Sequence, residues 1–501
     1  MKIIKLLFNR FTFIALAIIL QMGLYTILAL GLSSYYYAIS IALRVVSLFV
    51  IIRVINRDIN PGQQILWVTV IAIFPIAGLM LYLMIGDAKW SSRSKERMRR
   101  SFYKQIPVVN KTENLPERYA GQINYITTKT PTNAFAGCAT EYFPTGEKFF
   151  ASLKKDLASA KKFIFLEYFI ISSGSMWNEI EEILLKKVDE GVEVRVMYDD
   201  IGSMKNLKNN FDSQERKKGI NCIKFNKFRP FVTNLHNNRD HRKIAVIDGK
   251  IGYTGGINLA DEYINADGRD YHWKDCGVRI YGNAVNEFTE QFMQLFEIAS
   301  RKHINFEQYS CNEVINTGEK GLVVPFGAGP YFFYKCPVAE EVFLNMISQA
   351  RKEIIITTPY LILDYSLNRA LVSAAARGVD VKIAIPDVPD KKIIYLITRN
   401  NALYLQNNGV KIYRAKGSFL HSKSIVADGE VAVVGTINFD YRSLIHHFEN
   451  AVWMYDTVAL KELLEDVNGI CSSANEYGSD LDMGFFARLF ATLCKLFTPL
   501  F

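Results

Sequence analysis

The string H-x-K-x-x-x-x-D occurs twice in this 501-residue chain, at His241 and at His421, and the residues after each copy repeat too. One copy reads HRKIAVIDGKIGYTGGIN from His241 to Asn258; the other reads HSKSIVADGEVAVVGTIN from His421 to Asn438. A constant offset of 180 residues carries His241 to His421, Lys243 to Lys423, Asp248 to Asp428, Gly255 to Gly435 and Asn258 to Asn438. A repeat of this length in register is not a chance match, and it constrains the fold before any element is assigned. The chain has to build one unit twice.

The flanking pattern says what the unit is. In the first half, Phe163–Ile171 reads as an apolar strand, Glu179–Asp189 as a helix and Val192–Tyr198 as the next strand. Ile244–Ile247 and Ile251–Tyr253 then flank Asp248-Gly249, a dipeptide suited to a tight hairpin. The second half answers with Glu353–Tyr360, Leu367–Arg377, Val379–Ile385, and the pair Ser424–Ala427 and Val431–Val434 around Asp428-Gly429. Alternating strands and helices predict an α/β fold of two similar α/β/α lobes packed face to face.

Within the motif, His241 and Lys243 fall on one face of a strand, as do His421 and Lys423. A base and a cation side by side, twice, make a poor core and a good anion site. Transfer at a phosphodiester is eased when an enzyme nucleophile attacks first and the acceptor second. One neutral imidazole can attack phosphorus; a second, protonated, can give the leaving oxygen a proton and later take one from the acceptor. Lys243, Lys423, Asn258 and Asn438 would steady the charge on the non-bridging oxygens. Asp248 and Asp428 complete the candidate catalytic motif, but they sit at turns, where Asp commonly bonds to backbone. Glu262 and Glu449 are the candidates for orienting the histidines. No H-E-x-x-H string or Cys/His cluster is present, and neither His446-His447 nor His236 with His241 has a partner set, so neither a metal nor another cofactor is expected. The seven scattered cysteines contain no C-x-x-C pair and suggest no disulfide framework.

Half of the residues are hydrophobic, and three apolar stretches fill the first 88. They cover about 11–32, 35–52 and 65–85, each near the ~20 residues that cross a hydrocarbon core. Arg44 interrupts the second. Lys2, Lys5, Arg10 and Ala29-Leu30-Gly31 loosely resemble a cleaved signal, but the apolar run is too long and more hydrophobic sequence follows. A basic run then comes, with Lys89, Arg93, Lys95, Arg97, Arg99, Arg100 and Lys104 against Glu96 alone. Such a run marks the cytoplasmic side of a membrane and draws anionic headgroups. Since the N-terminus is basic too, an even number of crossings is expected, with Pro75 and Gly78 making the third stretch a candidate to turn back. The net charge of +9 favours an anionic partner. At the far end Phe485, Phe486, Leu489, Phe490, Leu493, Leu496 and Phe497 follow helical spacing, for packing on the protein or lying on a bilayer.

The paired motifs resemble the phospholipase D superfamily, and most closely its bacterial cardiolipin synthases. TGGINLADEY, WKD at 273–275, ITTPYLILD, ARGVDVKIAIP, FLHSKSIVADG, GTINFDYRS and HFEN carry the resemblance, together with FPIAGLMLYLMIG near the N-terminus. It implies two lobes forming a pseudo-dimer around one site with both histidines, and phosphatidyl transfer between two phosphatidylglycerol molecules through a phosphohistidine. It also implies a multi-pass bacterial membrane protein with cytoplasmic lobes and no nucleic-acid partner. His241 is assigned the phosphatidyl group and His421 the acid/base work, with the reverse order open. The organisation expected is a membrane-anchoring region 1–88, a basic linker 89–130, lobes at 131–315 and 316–480, and an amphipathic tail 481–501. Three positions depart from the family pattern: Thr436 stands for Ser, His447 for Asn, and Cys276-Gly277 follows WKD where a His is usual. A phospholipase D-type hydrolase, a phosphatidylserine synthase or a nuclease would use the same intermediate, and a non-catalytic scaffold would not need both motifs whole. The apolar N-terminal stretches have no use in a nuclease.

Overall fold

The computed structural model describes residues 22–23, 26, 36–57, 59–86, 92–102, 111–227, 238–476 and 483–495. It separates into an N-terminal unit and a body formed by Ser92–Lys227 and Asn238–Thr492.

The body is a mixed α/β structure on two main sheets. The first contains β1 (Ala139–Phe143), β2 (Phe163–Tyr168), β3 (Glu193–Asp199), β4 (Asn221–Phe225), β5 (Lys243–Ile247), β6 (Ile251–Gly255) and β7 (Gly277–Tyr281), ordered β1-β7-β6-β5-β2-β3-β4. The second contains β8 (Leu322–Ala328), β9 (Glu353–Thr357), β10 (Asp380–Pro386), β11 (Lys411–Ala415), β12 (Ser424–Ala427), β13 (Val431–Gly435) and β14 (Glu449–Tyr455), ordered β8-β14-β13-β12-β9-β10-β11. Adding seven to each label turns one order into the other. The directions agree as well: β2, β3 and β4 run parallel, as do β9, β10 and β11, and the other pairings between these strands are antiparallel. Phe135–Ala136 and Asn475–Glu476 extend the second sheet at its two edges.

Local chemistry fixes the units. Strands β2, β5, β12 and β13 are buried throughout, so apolar residues fill both of their faces rather than alternating, with Glu167, Lys243 and Ser424 as the polar exceptions. The strand expected to reach Ile171 stops at Tyr168, because the Ile170 amide turns aside to the Asn258 side chain at 3.0 Å. The crossover helix spans Ser175–Asp189, starting four residues before its expected Glu179. Its first amides, Ser175 and Met176, are capped by the distant Asp261 carboxylate at 3.0 and 2.8 Å. Both hairpins turn through two left-handed residues, Asp248 (φ 53) with Gly249 (φ 67) and Asp428 (φ 55) with Gly429 (φ 69). That is the geometry that asks for Asp-Gly.

Three expectations change. Residues 89–130 are not a plain linker: Ser92–Phe102 is a helix whose Ser101 hydroxyl donates to the Gln294 carbonyl at 3.1 Å and whose Phe102 ring lies 4.5 Å from Phe333. Apolar Met98 and Phe102, buried beside the basic residues, draw it onto the body. The boundary between lobes is not clean at 315, since Phe135–Ala136 pairs with β8. And the third apolar stretch is broken into Pro61–Ile73 and Pro75–Leu81. Pro75 supplies no amide hydrogen, and the chain turns at Phe74. Gly78 lies so close to the first helix that a Cβ would sit 2.5 Å from the Val70 carbonyl oxygen.

Among the described residues, one helix is long and apolar enough to cross a membrane, Tyr36–Ile55. Asn60 caps the following helix through the Gly62 amide at 2.9 Å. The stretch 11–32 and residues 228–237, with His236, lie almost wholly outside the described residues, as do Lys89, Lys104, Leu496 and Phe497. At the other end, Phe485–Lys495 is a helix with Phe485, Phe486, Leu489, Phe490 and Leu493 exposed.

Asp248 and Asp428 are anchors for these turns. Asp248 accepts from the amides of Lys161, Lys162 and Phe163 at 2.7–3.0 Å. Asp428 accepts from those of Arg351, Lys352 and Glu353, and pairs with Arg118. Burial raises the Asp428 pKa, and these donors more than offset it, so the carboxyl ends below its ordinary value. Its stabilising effect is therefore full above about pH 4 and fades as pH falls below that. Asp248→Ala strands three amides and is expected to cost about 2–4 kcal/mol in urea unfolding, with turnover little changed.

Candidate active site

The two motifs are tied to each other crosswise. In each half the histidine sits just before a core strand: His241 before β5, and His421 three residues before β12. The His241 amide donates to the Phe448 carbonyl at 2.9 Å, and the His421 amide donates to the Lys274 carbonyl at 2.7 Å. Phe448 and Lys274 each precede a fully buried carboxylate, Glu449 and Asp275. His241 Nδ1 lies 2.9 Å from Glu449 Oε2, and His421 Nδ1 lies 2.6 Å from Asp275 Oδ2. Each imidazole is thus aimed by backbone and side chain of the opposite repeat. With Nδ1–H donated to a carboxylate, the lone pair is left on Nε2.

The carboxylate on His421 is Asp275, not Glu262. Glu262 is half-buried on the short helical turn Asp261–Ile264, away from that bond. A constant offset of 180 misses Asp275 because the repeats differ in length beyond the asparagines. Gly255 pairs with Gly277, 22 residues on, whereas Gly435 pairs with Ala451, 16 residues on. Aligning those strand partners would have placed Asp275 opposite Glu449. The halves also differ in detail. Thr436 donates its hydroxyl to Glu449, while the equivalent Gly256 leaves room for Asp275, whose Oδ1 would lie 2.1 Å from a Cβ there.

Lys243 Nζ donates to the His241 carbonyl at 2.8 Å, and Lys423 Nζ donates to the His421 carbonyl. Lys423 Nζ also lies 2.9 Å from His421 Nδ1, but an Nδ1 that donates its hydrogen to Asp275 has no lone pair left to accept from the lysine. Asn258 holds the chain together, accepting from the Ile170 amide at 3.0 Å and donating to the Tyr263 hydroxyl at 2.5 Å. Asn438 keeps a buried Oδ1 without a hydrogen bond and faces Asp440 through its amide. Asp248 and Asp428 bond to their turns and not to the histidines. Phe169 lies against His241 at 4.9 Å, and Trp273 against His421 at 5.1 Å.

Burial and neighbouring cations set the charge states. Burial pushes His241 well below its ordinary pKa, and Lys243, His447, Lys423 and His421 push the same way. Burial and Lys423 take His421 down to about 4, against the pull of Asp275. Lys243 falls to about 7, again mainly through burial, with Lys423 adding to the fall. The half-sites therefore act on one another electrostatically. A neutral imidazole with a free Nε2, flanked by lysines and backed by a carboxylate, is equipped to attack a phosphate ester.

Glu449→Gln and Asp275→Asn are each expected to lower kcat by about 10²–10⁴-fold while circular dichroism stays unchanged, since the tautomer is lost and the packing is not. The free-enzyme profile of kcat/KM should decline as pH rises through about 7, where Lys243 gives up its charge. Lys243→Arg, charged at every such pH, should remove that decline while lowering the maximum.

The chain is similar to known proteins. The family described as cardiolipin synthase, PLD-like domain, matches residues 153–298 and 343–470, and the phospholipase D-nuclease N-terminal family matches 45–86. A cardiolipin synthase of Alkalihalophilus pseudofirmus is 31% identical over 98% of this chain and 99% of its own. One of Halalkalibacterium halodurans is 29% identical over the same shares. An uncharacterized protein of Streptococcus mutans is 40% identical over 83% of this chain and 91% of its own. The crystal structure of a phosphatidylserine synthase from Haemophilus influenzae superposes with a TM-score of 0.56 at 14% identity, covering 72% of this chain and 93% of that one, a likeness of fold. The chain belongs to the cardiolipin synthases, phosphatidyltransferases of the phospholipase D superfamily.

Proposed function

We infer that this cardiolipin synthase joins two phosphatidylglycerol molecules into cardiolipin and glycerol, with its two repeats acting as a pseudo-dimer around one site. The crossed His–carboxylate pairing carries the reading, because it presents two oriented imidazoles rather than one. His241 Nε2 attacks the phosphorus of the first phosphatidylglycerol. The bond to the glycerol oxygen breaks, and His421 protonates that oxygen. Glycerol leaves, and a headgroup hydroxyl of the second phosphatidylglycerol attacks the phosphohistidine while His421 takes its proton. Phosphate is conserved at each step and both histidines return to their starting states.

The order of roles follows from the charge states. Asp275 favours the protonated form of His421, whereas the influences named for His241 all favour the neutral form. A bound phosphodiester adds negative charge and raises both values from these depressed levels, which suits His421 to protonate a leaving group. Lys243 and Lys423 neutralise the non-bridging oxygens.

The lipid reading extends to the ends of the chain. Tyr36–Ile55 crosses the bilayer, the broken pair Pro61–Ile73 and Pro75–Leu81 lies in or against it, and the catalytic lobes are cytoplasmic. The C-terminal helix rests on the headgroups, its exposed phenylalanines and leucines inserted and Arg488 and Lys495 at the interface.

The purified protein, incubated with phosphatidylglycerol vesicles, is expected to give cardiolipin and free glycerol in equal amounts. Phosphatidic acid as main product would mean a hydrolase, and no product a scaffold. His241→Ala and His421→Ala should each lower turnover by about 10⁴-fold or more with folding retained; substantial activity in either would overturn the assigned roles.

A further inference from the structure

His447 has no place in this chemistry, yet it stands beside it. It follows the helical turn Tyr441–Ile445 and is 8% exposed, its ring 5.4 Å from that of His241. Among the described residues, neither of its ring nitrogens has a hydrogen-bond partner. Burying both without partners is costly. Its Nδ1 lies 3.7 Å from Glu449 Oε1, beyond hydrogen-bond reach. That oxygen is itself buried and, though near the Ser443 hydroxyl, makes no well-formed hydrogen bond. Two unsatisfied lone-pair groups thus face one gap, and His241 borders it. One donor atom from each of His241, His447 and Glu449 lies within 4.8 Å of the other two.

We propose that His241, His447 and Glu449 form a zinc site that switches the enzyme off. Two imidazoles and one carboxylate make a complete protein set for a tetrahedral zinc ion with a fourth position open. Zinc–nitrogen bonds near 2.0–2.1 Å require the donors to close up by roughly an ångström, which side-chain rotation supplies. Lys243, Arg239 and Arg442 lie around His447 and repel any cation. They select against hard ions such as magnesium, which gain little from imidazole, and leave an ion that bonds strongly to nitrogen.

Inhibition follows from which lone pairs the ion takes. Bound through Nε2 of His241, it covers the nucleophile. Bound through Nδ1, it displaces the Glu449 hydrogen bond, the ring proton moves to Nε2, and the attacking lone pair is lost. The sequence hid this set because its members come from separate segments, His241 and the pair His447 and Glu449, joined only by the crossed packing. This set departs from the expectation that His446-His447 lacks metal partners.

The test uses the full-length protein, stripped with chelator and titrated with zinc chloride in lipid-free detergent micelles, so that it is read independently of phosphatidyl transfer. One zinc per chain is expected at the site, and His447→Asn should weaken its binding by about a hundredfold or more. Zinc should inhibit turnover reversibly, and in His447→Asn the inhibition, scaled to that variant's own zinc-free rate, should shift by the same factor. X-ray absorption of the zinc-loaded native protein, which needs no variant, should show two histidine nitrogens in the first coordination sphere. Sulfur ligands from the free cysteines, a single histidine, or equal zinc affinity in His447→Asn would overturn the proposal.

Discussion

Each catalytic-motif histidine is held by the other repeat, and the rest of the body is arranged to make that possible. A buried carboxylate and a buried imidazole are each expensive alone, and the hydrogen bond between them is what lets both be buried. The carboxylates stand at the entrances to β7 and β14, and the residues just before them also receive the histidine amides. The two sheets are thereby stitched at two equivalent points, and neither half completes its own histidine. Under the proposed mechanism, duplication serves a division of labour inside one site rather than two copies of an activity.

The halves are related without being identical, and the differences fall where the chemistry is asymmetric. Glu449 is supported by the Thr436 hydroxyl, while Asp275 is shorter, sits against Gly256 and accepts the Cys276 amide at 2.8 Å. His241 is packed by Phe169 and His447, His421 by Trp273, Tyr263 and Phe419. The two imidazoles thus face different local fields. A reaction in which one ring attacks and the other moves a proton needs that difference.

The repeat made much of this legible. The two similar α/β units follow from two copies of one apolar pattern, and the Asp-Gly turns and Glu449 as an orienting carboxylate could be read from spacing and residue type. What could not be read shares one cause, contact between segments distant in the chain. Asp275 was concealed by six extra residues in its connection, the Asp261 cap by its distance from Ser175, and the role of Asn258 by the bend at Ile170. The docking of Ser92–Phe102 was hidden because its charges are local and its buried face is completed elsewhere. Among the described residues of the N-terminal unit, the stretch interrupted by Arg44 forms an unbroken helix and the one with Pro75 does not, since two arginines in a helix of this length matter less than one proline.

A single site built from two half-sites has a countable signature. Mixing the enzyme with headgroup-labelled phosphatidylglycerol, quenching within one turnover and mapping the acid-labile phosphoramidate by mass spectrometry measures it directly. The expected result is one phosphatidyl group per chain, on His241, with a matching burst of one glycerol. Two groups per chain, one on each histidine, would mean that the repeats act independently and that no shared site exists.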